Sequence, residues 1–170
     1  MVNQIIQSGI CRSKSRRLNP QKNYKMNIEN FRFFRPLEIR WNDLDPIGHV
    51  NNVYYFDYFQ TGRSYYMLQA SRRWDWNKNM FVIANISCNY FKELKITAQN
   101  PRVGMRVTKI GSKSFDFEYI ILADDKEGNP ILHAQGASTQ VFVDLSVGKS
   151  IEIPEWVIED FYSYEPSLEK

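Results

Sequence analysis

The sequence predicts an α+β domain in which one long helix packs against an antiparallel sheet. Two observations carry this prediction: a helical pattern of apolar residues follows a first strand, and four strand-like segments follow the helix. An apolar helix stripe and one face of an antiparallel sheet bury each other in two layers, so the order β-α-β-β-β-β is typical of this class. A chain of 170 residues is long enough for one such domain with a substantial core.

The first strand is predicted over residues 33–41, where Leu37, Ile39 and Trp41 alternate with polar side chains. A loop follows over residues 42–50. The helix is predicted from Asn51, a good N-cap, to about residue 71. Its predicted buried face, at steps of three and four, comprises Val53, Phe56, Phe59, Gly62, Tyr66 and residue 69 or 70. Gly62 costs about 1 kcal/mol of helix propensity relative to Ala, so we expect close packing against the sheet there.

Four further strands are predicted over residues 81–91, 104–110, 114–123 and 131–145. The connection at residues 124–130 contains Asp, Gly, Asn and Pro, which are typical of turns. After Pro154, a short helix is predicted over Glu155–Tyr164. His133 alternates with apolar neighbours in the last long strand, which predicts a packed strand residue.

Charge and hydropathy exclude several classes of protein. Of 22 basic residues, six fall within residues 1–25, which hold no acid, so the remainder carries 16 basic against 19 acidic residues. A nucleic-acid-binding domain would cluster basic residues on its surface, so we predict no nucleic-acid partner. No apolar run reaches the roughly 18 residues of a membrane-spanning helix, and none is predicted.

Residues 1–27 lack periodicity and are predicted to form a basic, disordered tail, separate from a single domain at residues 28–170. Three interpretations stay open: a transit peptide for organellar import, an extension upstream of a start at Met26, or a genuine arm. Cys11 and Cys88 lie far apart, which argues against a disulfide framework and favours a cytoplasmic location. With only these cysteines and two histidines, no metal site is predicted.

The most specific segment of the chain spans residues 41–55. It contains, in order, Asp43, Asp45, Pro46, Gly48, His49, Asn51 and Asn52. A carboxylate can attack a carbonyl or activate water, and free N–H groups at a helix start can hold a developing oxyanion. These residue types therefore indicate an acyl-transfer site. The plainer alternatives are that Asp45-Pro46 is turn chemistry and that the two asparagines are helix caps.

This segment resembles the hotdog-fold acyl-CoA thioesterases of the 4-hydroxybenzoyl-CoA thioesterase-like family, in which a curved antiparallel sheet wraps one long helix. The resemblance covers residues 33–165 and rests chiefly on the Asp-x-Asp-x-x-Gly-His-Val-Asn-Asn run. It implies hydrolysis of an acyl-CoA or acyl-carrier-protein thioester to free acid and thiol. Coenzyme A would be part of the substrate, and no separate cofactor is implied. A homodimer or homotetramer is implied as well, and an open sheet edge favours such pairing.

The resemblance also implies roles for individual residues. Asp45 would be the nucleophile or the general base, and the backbone N–H of Asn52 would polarise the thioester carbonyl. His49 is a further catalytic candidate, with a hydrogen-bonded structural role as its alternative. Candidate substrate-binding residues are Gly48, Asn51, Tyr55 and Lys113. Asp43 is expected to structure the loop, and Arg63 to form an ion pair or an interface contact.

Two rival functions remain. A hotdog hydratase or dehydratase would carry Asp-x-Asn-Pro-x-His, but the spacing from Asp45 to His49 is one residue too short and the Asn is missing. A non-catalytic acyl-CoA-binding protein is the second rival, because a helix acid frequent in the family is here Gln60.

Overall fold

The computed structural model describes residues 28–168. It contains six strands and two helices: β1 (Phe33–Pro36), α1 (Asn52–Ala70), β2 (Phe81–Tyr90), β3 (Gln99–Ile110), β4 (Ser114–Asp124), β5 (Pro130–Asp144), β6 (Lys149–Ser150) and α2 (Glu155–Tyr164). The predicted α+β class and the order of elements are confirmed. The predicted tail at residues 1–27 lies outside the described residues. Among the described helices, none is apolar over a length that could cross a membrane.

The strands form one antiparallel sheet in the order β1-β3-β4-β5-β2, and β6 pairs with the end of β5. Strands β1 and β2 therefore lie at the two edges. The pairing of β2 with β5 runs from Phe81 opposite Phe142 to Tyr90 opposite Ala134. This register places the end of β2 beside the first third of β5.

The first strand is shorter than predicted. It ends at Pro36, and a single 3₁₀ turn occupies Trp41–Asp43. The Asp43 carboxylate folds back and accepts hydrogen bonds from the backbone N–H (3.0 Å) and Nε (2.9 Å) of Arg40. This local bonding closes a turn that an alternating pattern does not reveal, and Trp41 is 76% exposed as a result.

Strand β3 begins five residues earlier than the predicted start, at Gln99 rather than residue 104. The sequence Asn100-Pro101 is typical of a turn, and Asn100 does adopt a left-handed φ of 47°. The strand nevertheless continues through this irregularity, because Arg102 donates to Asp124 of β4 at 2.7 Å. The two-residue strand β6 was not predicted.

Helix α1 matches its predicted bounds to within a residue. Its N-cap is Asn51, whose side chain accepts the N–H of Val53 at 3.1 Å. The buried face differs from the predicted one, because Val53 is 62% exposed. The buried residues are Tyr55, Tyr58, Phe59, Gly62, Arg63, Tyr66 and Met67. Tyrosine hydroxyls and an arginine find partners inside the protein, which a purely apolar stripe does not anticipate.

The helix rests on the sheet through an aromatic side chain seated on a glycine. Phe59 stacks on Tyr119 of β4, with ring centroids 4.4 Å apart. A Cβ at Gly136 of β5 would lie 2.5 Å from the Phe59 ring. Gly62 also packs closely, as predicted, although a Cβ there would meet the Met105 sulfur at 3.2 Å, a flexible neighbour.

The C-terminal helix closes the far end of α1. Its residues Val157, Phe161 and Tyr164 are buried. Glu165, which follows the helix, is buried as well, and its Oε1 accepts the hydroxyl of Tyr66 at 2.5 Å and the N–H of Val107 at 3.3 Å. Its Oε2 has no hydrogen-bond partner within residues 28–168.

We expect Gly136→Ala to lower the free energy of unfolding by about 1–3 kcal/mol, because the added methyl overlaps the Phe59 ring. Urea unfolding followed by tryptophan fluorescence measures this loss. Gly62→Ala is the matched control, since its Cβ would meet the flexible Met105 sulfur at 3.2 Å and Ala improves helix propensity, so its loss should stay within about 0.5 kcal/mol. Equal losses in the two variants would refute the close contact.

Burial raises the pKa of Glu165. The unfolded carboxyl ionises at about 4.3, so between that value and the raised native pKa the native state binds more protons. Stability should therefore fall as pH rises through this window and stay low above it. In urea unfolding, the stability of wild type relative to Glu165→Gln should fall from pH 4 upward. Glu155→Gln, an exposed change on α2, is the control, and a pH-independent difference for Glu165→Gln would contradict the argument.

Candidate active site

Asp45 lies at the base of a loop that closes on itself. Leu44 and Val50 form an isolated antiparallel bridge. Between them, the N–H of Asp45 donates to the carbonyl of His49 at 2.8 Å, and that of Gly48 donates to the carbonyl of Asp45 at 3.0 Å. Gly48 has a φ of 77°, a left-handed conformation that glycine adopts without strain. Gly48 therefore serves the turn itself.

The two oxygens of the Asp45 carboxylate differ. Oδ1 accepts the backbone N–H groups of Ile47 and His49, each at 3.0 Å. Oδ2 makes no hydrogen bond with any residue that the structure describes. The loop thus holds the carboxylate by one oxygen and leaves the other for a ligand or a water molecule.

The start of α1 offers one free backbone donor. The N–H of Val50 donates to Leu94, that of Asn51 donates to Asp43, and each bond is 2.8 Å long. The side-chain oxygen of Asn51 accepts the N–H of Val53, and the backbone carbonyl of Asn51 accepts the N–H of Tyr54. From His49 to the first turn of α1, only the N–H of Asn52 therefore lacks an acceptor in the described part of the chain. The positive end of the helix dipole adds to the polarity of this group.

Asp45 and Asn52 line one cleft of about 430 Å³, a volume suited to a small ligand. The end of β2 and the residues after it form the opposite wall. The lining residues are Asp45, His49, Val50, Asn51, Asn52, Tyr55, Tyr90, Phe91, Lys92 and Glu93. Five of the predicted site residues thus share one cavity: Asp45, His49, Asn51, Asn52 and Tyr55.

Two tyrosines form an aromatic wall in the cleft. The ring of Tyr90 meets that of Tyr55 edge-on, with centroids 4.9 Å apart, and its hydroxyl donates to the carbonyl of Asn52 at 3.4 Å. Burial raises the pKa of both hydroxyls to about 12, so they keep their protons at neutral pH. Tyr90 was not predicted as a site residue, because nothing local in the sequence marks the end of an edge strand as part of a cleft.

His49 shapes the loop through its main chain, which exchanges hydrogen bonds with Asp45 at both its N–H and its carbonyl. Its imidazole lines the cleft but forms no hydrogen bond with residues 28–168. The ring is close enough to Glu93 to contribute to lowering the pKa of that carboxyl, after the backbone hydrogen bond and the charge of Lys95. The catalytic and the structural interpretations of His49 both stay predictions.

A second histidine supports the opposite wall. His133 is buried, as predicted, and its Nδ1 lies 3.0 Å from the carbonyl of Glu93. Its own carbonyl accepts the N–H groups of Phe91 and Lys92. Burial lowers the pKa of this imidazole, which keeps it neutral at physiological pH.

Lys113 lies outside the cleft. Its carbonyl accepts the N–H of Phe142, near the end of β5 that is remote from Ala134 and the cleft. Seven to eight strand residues separate these two positions, about 25 Å. Lys92, by contrast, lines the cleft directly.

Two polar residues of the mid-helix, Gln60 and Arg63, do not line the cleft. Gln60 is exposed. Arg63 is buried and donates to the hydroxyl of Tyr119 at 3.1 Å. The ion pair expected of Arg63 is absent from the described residues. Within the same residues, no three His, Cys, Asp or Glu side chains are grouped so that they could hold a metal ion.

A comparison with protein families matches residues 39–161 to the thioesterase-like superfamily. Among curated proteins, the uncharacterized protein YsmA of Bacillus subtilis is 28% identical over 131 residues, which are 77% of this chain and 84% of that protein. The family match includes the loop with Asp45 and strands β2 to β6, and it begins after β1.

Solved structures share the same fold. The PA5185 protein from Pseudomonas aeruginosa superimposes with a TM-score of 0.71 at 27% identity, over 83% of this chain and 96% of that one. A thioesterase from Thermus thermophilus, complexed with coenzyme A and Zn, gives 0.69 at 27% identity, over 81% and 97%. A 4-hydroxybenzoyl-CoA thioesterase variant complexed with 4-hydroxybenzoyl-CoA gives 0.68 at 16% identity, over 76% and 97%, which shows the fold alone. The predicted hotdog fold is confirmed.

Proposed function

Because this chain belongs to the thioesterase-like superfamily and is a thioester hydrolase, we propose that it cleaves acyl-CoA thioesters with Asp45 as the reacting carboxylate. The coenzyme A bound to the similar Thermus thermophilus thioesterase supports this substrate class. An acyl-carrier-protein thioester offers the same reacting group and is the alternative substrate. The family match and the CoA-bound neighbour favour hydrolysis over the rival hydratase reaction.

One observation carries the assignment of roles. Among the described residues, Oδ2 of Asp45 and the N–H of Asn52 have no hydrogen-bond partner and belong to one cleft, whereas the other carboxylate of its lining, Glu93, is paired with the ammonium of Lys95 at 3.7 Å. A thioester carbonyl that accepts the Asn52 N–H would gain negative charge beside the positive end of α1 as it becomes tetrahedral. A single preorganised donor of this kind lowers a barrier by about 3–4 kcal/mol.

Two routes use this arrangement. As a nucleophile, Asp45 would displace the thiolate and form a mixed anhydride, which water then hydrolyses. As a general base, Asp45 would take a proton from water as the water attacks the carbonyl. Both routes end in a free acid and a thiol, and both require the free Oδ2. His49 is proposed as an auxiliary group facing the same cleft.

Residues around the carbonyl position are proposed to hold the acyl group. Tyr55 supplies a buried aromatic surface, and Gly48 and Asn51 shape the loop and helix start beneath it. Coenzyme A would enter as part of the substrate, and Lys92, which lines the cleft, is proposed to bind its phosphates. A direct role for Lys113 within one subunit is not supported, so its proposed contact requires a neighbouring subunit.

We propose a homodimer built on the edge of β2, which could pair again into a homotetramer. Strand β2 spans ten residues and carries no charged residue and no proline. Val82 and Ile83 are 46% and 42% exposed. Natural sheet edges are normally protected by charges, prolines or bulges. Strand β2 has one irregularity, between Ile83 and Asn85, but neither a charge nor a proline, and such a long edge favours pairing with a second chain. Antiparallel pairing would bring the partner's remote end of β5 toward this cleft.

We also propose that residues 28–170 form one thioesterase domain and that the protein acts in the cytoplasm. The family match within residues 39–161 and the single sheet support the domain boundaries. In the described part of the chain Cys88 is a free thiol, which suits a reducing compartment.

Asp45→Asn should lower kcat for acyl-CoA hydrolysis by about 10²–10⁴-fold, because the amide can neither attack nor accept a proton. Thiol release from short, long and aromatic acyl-CoA substrates measures this effect. Glu127→Gln, an exposed change on the β4–β5 turn, is the control and should retain wild-type kcat. Equal thiol release by wild type and Asp45→Asn would overturn the role of Asp45, and hydration of an enoyl-CoA would favour the rival reaction.

The double substitution Val82→Lys and Ile83→Lys should convert the proposed dimer to monomer, because it places like charges on both facing strands. Analytical ultracentrifugation measures the change. The matched control is Leu145→Lys with Val147→Lys, which charges two residues that are 65% and 61% exposed on the β5–β6 turn. A dimer that survives the β2 change, or a monomeric wild type, would contradict pairing through this edge.

A further inference from the structure

We propose that Asp43 is a positioning residue whose buried carboxylate and main chain together fix the Asp45 loop to the start of α1. The inference rests on the proposed function, since it concerns how the reacting carboxylate is held. Asp43 has no exposed surface and does not line the cleft. Any effect on catalysis must therefore act through its neighbours.

The side chain of Asp43 joins three parts of the chain. Its Oδ2 accepts the hydroxyl of Tyr58 at 2.8 Å and the N–H of Arg40 at 3.0 Å. Its Oδ1 accepts the Nε–H of Arg40 at 2.9 Å, and Nη2 of the same guanidinium also lies 2.9 Å from Oδ1. Tyr58 belongs to the buried face of α1. The carboxylate therefore ties the segment before the loop directly to the helix.

The main chain of Asp43 makes a second tie to the same helix. Its carbonyl accepts the N–H of Asn51, the N-cap, at 2.8 Å. This bond satisfies the N–H of Asn51. The next N–H along the chain, that of Asn52, is left without an acceptor among the described residues. Two residues along the chain, Asp45 begins the closed loop. One residue thus sets both the carboxylate and the donor relative to α1.

The residue types around Asp43 indicate that its carboxylate fixes a geometry and does not merely fill space in the core. A buried carboxylate is costly unless every oxygen is well hydrogen bonded, and an apolar side chain could fill the same space. Burial and the bond to Asp43 both raise the pKa of Tyr58, so the hydroxyl retains the proton that it donates. Directional bonds of this kind fix one arrangement, which simple packing does not.

Tyr58→Phe tests the proposal, because it removes one bond to Asp43 and changes no cleft residue. A displacement of about 1 Å at a reacting group can cost about 10²-fold in rate, so we expect kcat to fall about 10–100-fold with KM within about twofold. Tyr66→Phe is the matched control on the same helix, since its hydroxyl meets another buried carboxylate, that of Glu165, at 2.5 Å. That variant should lose comparable thermal stability yet keep wild-type kcat.

Graded substitutions at Asp43 separate positioning from folding. Asp43→Asn keeps one oxygen that can accept from Tyr58 or Arg40, whereas Asp43→Ala keeps none. We expect kcat to decrease from wild type to Asn to Ala at nearly constant KM. Identical kcat in all three folded proteins would overturn the proposal.

Hydrogen exchange of the Asn51 amide gives a readout that does not depend on turnover. Tyr58→Phe should speed this exchange by about tenfold, and Tyr66→Phe should leave it unchanged. Unchanged exchange in Tyr58→Phe refutes positioning even in an active enzyme. Faster exchange in a protein that releases no thiol from any thioester supports positioning while it refutes the proposed function.

Discussion

The contact of Phe59 with Gly136 and Tyr119 holds α1 against the sheet, and the location of the cleft follows from it. Because Gly136 has no Cβ, the Phe59 ring can lie directly on β5 while it stacks on Tyr119. Asn52 lies seven residues earlier, which is about 10 Å along the helix axis. The helix start is thereby placed beside the end of β2, where Tyr90 and the residues after it form the opposite wall.

Hydrogen bonds around the start of α1 reduce the usual set of unpaired N–H groups to that of Asn52 among the described residues. Any α-helix begins with several unpaired N–H groups, and most helices satisfy them with caps or water. Here Asp43, Leu94 and the N-cap Asn51 accept the neighbouring N–H groups, and the N–H of Asn52 has no acceptor within residues 28–168. This unpaired N–H is the group to which we assign the oxyanion in the proposed reaction.

Periodicity and residue chemistry predicted the order of helices and strands and the loop with Asp45. Neither predicted the contacts between residues far apart in the sequence. The period of three and four located α1, yet its buried face includes Tyr58 and Arg63, because their polar atoms find partners that only the folded chain brings near. The alternation that predicted a strand to residue 41 was wrong, since Asp43 bonds back to Arg40. Tyr90 reaches the cleft through the register of β2 on β5, which no local pattern encodes.

Helix α1 uses two tyrosines, two turns apart, to hold two buried carboxylates for different purposes. Tyr58 binds Asp43, whose oxygens are all engaged, so the loop with Asp45 is held by a complete set of bonds. Tyr66 binds Glu165, which keeps one oxygen without a partner among the described residues. An incompletely bonded buried charge is the weaker support. The half of α1 nearer Asp45 is thus held by the more complete set of hydrogen bonds, because each oxygen of Asp43 has partners and one oxygen of Glu165 has none within residues 28–168.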